Sequence, residues 1–156
     1  MTIQSNTIIH PIPTDELLKE KERKWRLILP MDYRNFIINY NGGIPNEKMF
    51  ECNGHGYAVT RFLCVLKNIR ETQDGWYDIS VVESQIGERL TDNEDLIGVE
   101  VLPVAELFGG DYVCLDYRIN KENPSVCVWN HEESDDFDPV TYKVTDSFAQ
   151  FIEMLK

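Results

Sequence analysis

The sequence predicts an α+β fold: a twisted, antiparallel β-sheet of about five to six strands with helices packed on one face. Three observations lead to this prediction. Apolar residues recur at helical spacing in two segments near the N-terminus and in one at the C-terminus. Between them lie short, strand-like segments separated by turns, which favours antiparallel pairing. Each predicted helix has one apolar face, which a sheet can bury.

The first predicted helix follows an extended lead-in of residues 1–13. Two prolines, at positions 11 and 13, forbid helix in that lead-in. Thr14 is a good N-cap residue, and a run of strong helix formers follows it. The sequence therefore predicts a surface helix over about 15–26.

The second and the last helix have the clearest signals in the chain. Pro30 begins the second helix at its first position, and Asn41-Gly42-Gly43 ends it, because glycine tolerates the left-handed conformation beyond a helix C-terminus. Thr145-Asp146-Ser147 caps the last helix, whose apolar residues recur at 3, 4 and 7 positions. The side chains expected in one common core are Trp25, Phe36, Tyr40, Phe148 and Phe151.

Five segments are predicted as strands, and a short helix is predicted between the first two. Asp78 is placed to cap that helix. No motif indicates a role for residues 68–98 as a whole. Pro103 must bend its strand or place it at a sheet edge, because proline lacks an N–H donor. The predicted strands are residues 57–66, about 101–107, 112–117, 125–129 and 141–144.

Alternation along the strand 112–117 divides its side chains between the two faces of the sheet. The set expected to meet the helices is Val113, Leu115 and Tyr117. The set expected on the opposite, open face is Tyr112, Cys114 and Asp116, with Trp129 as their neighbour. Aromatic side chains next to an acid can anchor and steer a protein partner, so this face is a candidate interaction surface. Alternatively, Tyr112 and Trp129 complete a second core layer.

The acidic charge is concentrated in the middle of the chain. The net charge is −12, and residues 71–138 alone hold 3 basic and 18 acidic side chains, a net charge of −15. Nucleic acids and anionic membranes select basic surfaces, so neither is expected as a partner. A basic protein is the expected partner, although acids that only keep the surface soluble have the same composition.

Residues 130–138 are the most acidic part of this stretch and contain no basic residue between the acids. Their carboxylates are candidate partner-binding groups, because mutual repulsion among them must be offset by water or by a partner's Lys and Arg. The segment lacks the glycine of an EF-hand loop, so no metal site is predicted. The five acids are Glu132, Glu133, Asp135, Asp136 and Asp138.

The sequence contains no pattern typical of catalysis or of a cofactor site. His10, His55 and His131 are scattered, and no serine or cysteine lies in a recognisable nucleophile motif. We therefore predict no enzymatic activity and no cofactor. The N-terminus lacks a secretory signal, and the four cysteines lack metal-binding spacing, so reduced thiols in the cytoplasm are expected.

Four segments, in this order and spacing, resemble the SUKH superfamily, which includes the yeast cell-wall assembly regulator. The resemblance covers about Thr14 to Leu155 and implies one SUKH-like domain over residues 1–156. The segments are LPMDYRNFIINYNGG (29–43), LPVAELFGGDYVCLDYR (102–118), PSVCVWNHEE (124–133) and TDSFAQFIEML (145–155).

The resemblance also implies a class of function. Bacterial members of the superfamily are mostly immunity proteins, each of which binds and blocks a toxin, and many of those toxins are nucleases or other enzymes that act in the cytoplasm. This chain is accordingly expected to be a non-catalytic, cytoplasmic protein whose partner is a basic toxin domain. The alternative is a regulatory or scaffold module that binds a cellular partner. The sequence leaves the identity of the toxin and the oligomeric state open.

Overall fold

The N-terminal part of the chain is a pair of helices beside a small two-stranded sheet. The computed structural model describes residues 1–156. The lead-in is not extended throughout, because a 3-10 turn lies at Ser5–Thr7. Before that turn, residues 3–4 form a short strand that pairs antiparallel with residues 44–45. These pairings anchor the N-terminus to the rest of the protein. In chain order the elements are β1 (Ile3–Gln4), α1 (Asp15–Trp25), α2 (Met31–Tyr40) and β2 (Ile44–Pro45).

The two N-terminal helices begin close to their predicted positions. The Thr14 hydroxyl oxygen accepts a hydrogen bond from the Leu17 N–H at 3.1 Å, so α1 starts where its cap predicts. Pro30 precedes α2 as its N-cap residue and does not occupy the first helical position. The reason is its ψ of 151°, which is extended and not helical.

Six strands form the main sheet, in the same order as they occur in the chain. Every neighbouring pair is antiparallel, which confirms the predicted α+β class and strand number. The first of these strands was not predicted from the sequence, because four residues are too few for alternation to be distinctive. The strands are β3 (Met49–Cys52), β4 (His55–Phe62), β5 (Val101–Leu107), β6 (Tyr112–Asp116), β7 (Ser125–Trp129) and β8 (Thr141–Thr145).

Two further helices complete the fold. Helix α3 (Ile79–Ile86) lies between β4 and β5 in the chain, and α4 (Phe148–Met154) follows β8. Asp78 and Ser147 cap them as predicted, each accepting hydrogen bonds from backbone N–H groups of the first turn. No helix of the chain combines the length and apolar character that crossing a bilayer requires.

Strand β5 lies inside the sheet and accommodates its proline with a bulge. Its pairing with β6 shifts register between Pro103 and Ala105, so a bend, and not an edge position, is the outcome. Strand β4 ends at Phe62, four residues earlier than predicted. There the chain leaves the sheet towards α3, and Cys64 forms a parallel bridge with Asp78.

The main core lies between α1, α2, α4 and one face of the sheet. The ring centroids of Phe36 and Phe148 are 5.1 Å apart, and Phe62 lies 4.7 Å from Phe36. The prediction for Tyr40 is wrong, because this residue is 40% exposed. Tyr40 is the last residue of α2, so its ring contacts Phe36 on one side and solvent on the other. The core also contains Trp25 and Phe151, as predicted.

The opposite face of the sheet is buried too. The 3-10 turn Gly87–Arg89 follows α3 and brings Leu90 against this face, where Trp129 is only 1% exposed. The prediction of an open face around Cys114 and Trp129 is therefore wrong, and the alternative, a second core layer, is correct. This second cluster consists of Leu90, Val101, Cys114, Cys127 and Trp129. Val113, Leu115 and Tyr117 face the helices, as predicted.

Candidate partner-binding site

Residues 130–138, here called the acidic loop, contain two uncharged side chains that hydrogen-bond to the backbone of the loop and of Val140 just beyond it. The Asn130 side-chain oxygen accepts from the Glu133 N–H, and the Ser134 hydroxyl accepts from the Val140 N–H, both at 2.9 Å. Ser134 is buried, and the rest of the loop is folded around it. Of the loop's five carboxylates, only that of Glu133 accepts a side-chain hydrogen bond, from the Tyr142 hydroxyl at 2.8 Å. All five are exposed: Glu132, Glu133, Asp135, Asp136 and Asp138.

Arg89 ties the acidic loop to the second face of the sheet. Its guanidinium donates to the carbonyl oxygens of His131 and Ser134, the latter at 2.9 Å. The same group lies over the Trp129 ring, 5.1 Å from the ring centroid. Because Arg89 donates to backbone carbonyls, it stabilises the loop without forming an ion pair with the loop's carboxylates.

His131, near the start of the loop, is held by Asp111 from the turn before β6. One Asp111 oxygen lies 2.9 Å from the His131 backbone nitrogen and 2.5 Å from ring Nδ1. A histidine paired with a carboxylate acts in some hydrolases when a hydroxyl or thiol nucleophile is next to it. The nearby Ser134 hydroxyl is instead bonded to Val140. The pair therefore orients the start of the loop.

An acidic groove of about 300 Å³ lies next to the loop, between α3, residues 87–101 and Phe137. The Phe137 N–H donates to the Glu88 carbonyl oxygen at 2.7 Å, so the loop and the groove form one continuous surface. The carboxylates lining the groove belong to Glu83, Glu88, Glu94 and Glu100. Its apolar lining consists of Leu90, Leu96, Val99, Val101 and Phe137.

The charge of the groove is only partly offset within the chain, by Lys24 near Glu83 and by Arg118 near Glu100. None of its four carboxylates forms an ion pair, whereas Arg34 pairs with Asp15 and Glu22 between α1 and α2. Desolvation by burial raises the pKa of Glu83, and the charge of Lys24 offsets this only in part. The groove therefore places glutamate carboxylates next to apolar side chains.

The predicted site residues separate into two groups. The acidic loop meets the groove at Phe137, which stands between Asp136 and Asp138 in the chain. By contrast, the Glu133 carboxylate is bonded to Tyr142 of β8.

Trp129 is instead buried, and its ring packs against the guanidinium of Arg89, so it contributes to the site only by supporting that side chain. Asp116 accepts two hydrogen bonds from the Arg118 guanidinium, at 2.8 and 2.9 Å, which compensates its charge. Tyr112 is half-buried, with its ring centroid 6.1 Å from that of Trp129.

The sequence did not reveal the groove. Residues 83–100 hold six acidic side chains and one basic side chain, Arg89, and that density is the only signal available. The acids are spread over a helix, a turn and a loop, so their spacing in the chain does not indicate that they line one groove.

No group of three or more His, Cys, Asp or Glu side chains is arranged to hold a metal ion. The four cysteines are buried and unbridged. Burial raises the pKa of Cys64 to about 12 and that of Cys114 well above its ordinary value, so both thiols stay protonated at neutral pH.

The family described as SMI1-KNR4 cell-wall (SUKH_6) matches residues 15–152, a range that includes the groove, the acidic loop and most of both core layers. The chain belongs to the SUKH family. SUKH domains are generally non-catalytic immunity or regulatory domains that act through protein–protein interaction. The resemblance stated from the sequence is thereby confirmed.

One relative of this SUKH domain is the SPbeta prophage-derived uncharacterized protein YokK of Bacillus subtilis (strain 168). The two sequences are 26% identical over 148 residues. The aligned region covers 90% of the SUKH chain and 73% of the relative. No solved structure matches this SUKH domain.

Proposed function

We propose that this chain, a single SUKH domain over residues 1–156, is an immunity protein that neutralises a cognate bacterial toxin by direct binding in the cytoplasm. The family supports a role in protein–protein interaction. One observation carries the proposal: the acidic loop, with five exposed carboxylates, adjoins at Phe137 the acidic groove, whose lining has four more. Apart from the approach of Glu132 to His131, these groups form no ion pair. Such a surface attracts a basic protein.

A nuclease domain is the class of toxin that this charge suits best. A nuclease must present Lys and Arg side chains to the phosphates of its substrate. An acidic protein can occupy that basic surface in place of the nucleic acid. The chain would then act stoichiometrically, one molecule for each toxin, without turnover.

The five acids of the acidic loop are the proposed contacts with the toxin. Tyr112 is half-buried beside Trp129. The Trp129 ring packs against the guanidinium of Arg89, the residue that holds the loop. Tyr112 and Trp129 are both proposed to contribute mainly by holding the loop in place. Asp116 is proposed as a peripheral contact, because its ion pair with Arg118 reduces the charge that it presents.

The relative supports a bacterial setting for this chain. YokK is named as a protein derived from a prophage of Bacillus subtilis. We propose a bacterial host and a cytoplasmic location here as well. The four buried, unbridged cysteines fit a reducing compartment.

A regulatory or scaffold module is the second candidate function, and the same family membership supports it. The two candidates differ in the partner, which is a toxin domain in one case and a cellular protein unrelated to toxins in the other. A pull-down from the native organism followed by mass spectrometry distinguishes them.

Co-expression with a cognate toxin domain, sought among the products of neighbouring genes, tests the immunity function directly. We expect the wild-type chain to restore growth and to co-purify with the toxin in a one-to-one complex. A variant in which the acidic loop carries Gln and Asn in place of its five acids should protect less well. If the wild-type chain neither rescues growth nor binds the toxin, the immunity proposal is wrong.

A further inference from the structure

The acidic groove combines two features that long basic side chains require. Its apolar lining residues that are partly exposed are Leu96, Val99 and Phe137. Its rim consists of glutamates, of which Glu88 and Glu94 are exposed. Lysine and arginine bury their methylene stems on apolar surface and keep the charged head in a polar environment. The groove offers both surfaces within one concavity.

We propose that the acidic groove receives one lysine or arginine side chain of a basic protein partner. The stem lies against Leu96, Val99 and Phe137, and the cation lies among the rim carboxylates. This inference rests on the proposed function, because it names the part of the partner that this surface binds. A volume of about 300 Å³ is at the lower end of ligand-sized pockets, so it fits one extended side chain better than a helix.

The chain's own cations leave the groove available. Arg89 lies between Glu88 and Leu90 in the sequence, yet its guanidinium points to the acidic loop and donates to carbonyl oxygens there. Lys24 influences Glu83 through its charge but forms no ion pair with it. A cation from a partner therefore enters a negative field that no internal cation occupies.

Nuclear magnetic resonance titration with three capped tripeptides tests this inference without any toxin. The peptides are Ac-Ala-Lys-Ala-NH2, Ac-Ala-Arg-Ala-NH2 and Ac-Ala-Nle-Ala-NH2, where norleucine (Nle) has the stem of lysine without its charge. We expect saturable shifts of the Leu96 and Val99 amides with the two basic peptides, with dissociation constants on the order of millimolar. The norleucine peptide should produce no saturable shift.

Two variants and a matched control show whether the groove is responsible. Glu83→Gln/Glu100→Gln should weaken binding of the lysine peptide about tenfold, because it removes rim charges. Leu96→Ser should also weaken it, because this change removes apolar lining without changing the charge. Glu16→Gln/Glu20→Gln changes the net charge equally on the exposed surface of α1 and should bind like wild type.

The inference is overturned if no basic peptide produces saturable shifts, or if the norleucine peptide binds equally well. It is also overturned if the shifts lie in the acidic loop alone, or if the two double variants weaken binding equally. These results are independent of growth rescue. A chain that protects against a toxin but does not bind the lysine peptide refutes the groove inference alone. A chain that binds the peptide in the groove but protects against no toxin refutes the immunity function alone.

Discussion

The guanidinium of Arg89 lies over the indole ring of Trp129, and the Trp129 N–H donates back to the Arg89 carbonyl oxygen, 2.9 Å away. This reciprocal contact joins the segment after α3 to strand β7. It buries Trp129, and it places Arg89 where its guanidinium donates to the acidic loop. One contact therefore both closes the second face of the sheet and positions the candidate site.

Arg89→Met should loosen the acidic loop and destabilise the protein by about 1–3 kcal/mol, because two carbonyl oxygens lose a charged donor. Amide hydrogen exchange should accelerate across residues 131–138, and urea unfolding should report the loss of stability. Arg70→Met, at an exposed arginine, is the control and should stay within about 0.5 kcal/mol of wild type. Unchanged exchange in the Arg89 variant would show that the loop is held by other contacts.

Phe148→Ala should cost about 3–5 kcal/mol, because it leaves a cavity between the rings of Tyr33 and Phe36 in the main core. Tyr40→Ala should cost about 1 kcal/mol, since Tyr40 is largely in solvent on one side. Urea denaturation of both variants measures the difference. A loss below 1 kcal/mol for Phe148→Ala would contradict the assigned role of this residue.

Neutralising the five acids of the loop to Gln and Asn should slow association with a basic partner. Attraction between exposed charges acts mainly on the encounter of the two proteins, so the on-rate should fall and the off-rate should change less. The difference should shrink as salt rises, because the Debye length is about 8 Å at physiological ionic strength. Stopped-flow binding at low and high salt measures both rates.

A second five-site variant provides the control for this comparison. It neutralises exposed glutamates outside the acidic loop and the groove, so its net charge is the same. If only the total charge matters, both variants slow association equally, and the loop is not the contact surface. Equal on-rates for the loop variant and wild type at low salt would show that the interface lies elsewhere on the protein. The control substitutions are Glu16→Gln, Glu20→Gln, Glu51→Gln, Glu122→Gln and Glu153→Gln.

Glu83→Gln should make the protein slightly more stable at neutral pH. Desolvation raises the folded-state pKa of Glu83 above its unfolded value, so ionised Glu83 opposes folding. This free-energy cost is present above the folded-state pKa and disappears below the unfolded-state pKa, at about pH 4. Urea unfolding at neutral pH and at about pH 4 should therefore show a gain that vanishes in acid. A gain of equal size at both pH values would rule out this electrostatic cause.

Local signals in the sequence determined most of the fold. Thr14, Asp78 and Ser147 each cap a helix at the predicted position, because capping involves only a residue and the turn that follows it. The alternation along β6 also put Val113 and Leu115 on one face together, because side-chain alternation follows from strand geometry alone, and the expectation that this face meets the helices is confirmed. Tyr40 satisfied the same helical periodicity but is exposed, because periodicity does not show where the covering layer ends.

The acidic composition and the five carboxylates of the loop were visible in the sequence alone, as was the family resemblance. Only the tertiary structure decided what covers Trp129 and where the groove lies. The segment after α3 has no motif, and its path over the sheet depends on contacts between residues about 40 positions apart, such as those of Arg89 with Trp129 and His131. Local sequence patterns cannot specify such long-range contacts, because they exist only when the whole core has formed.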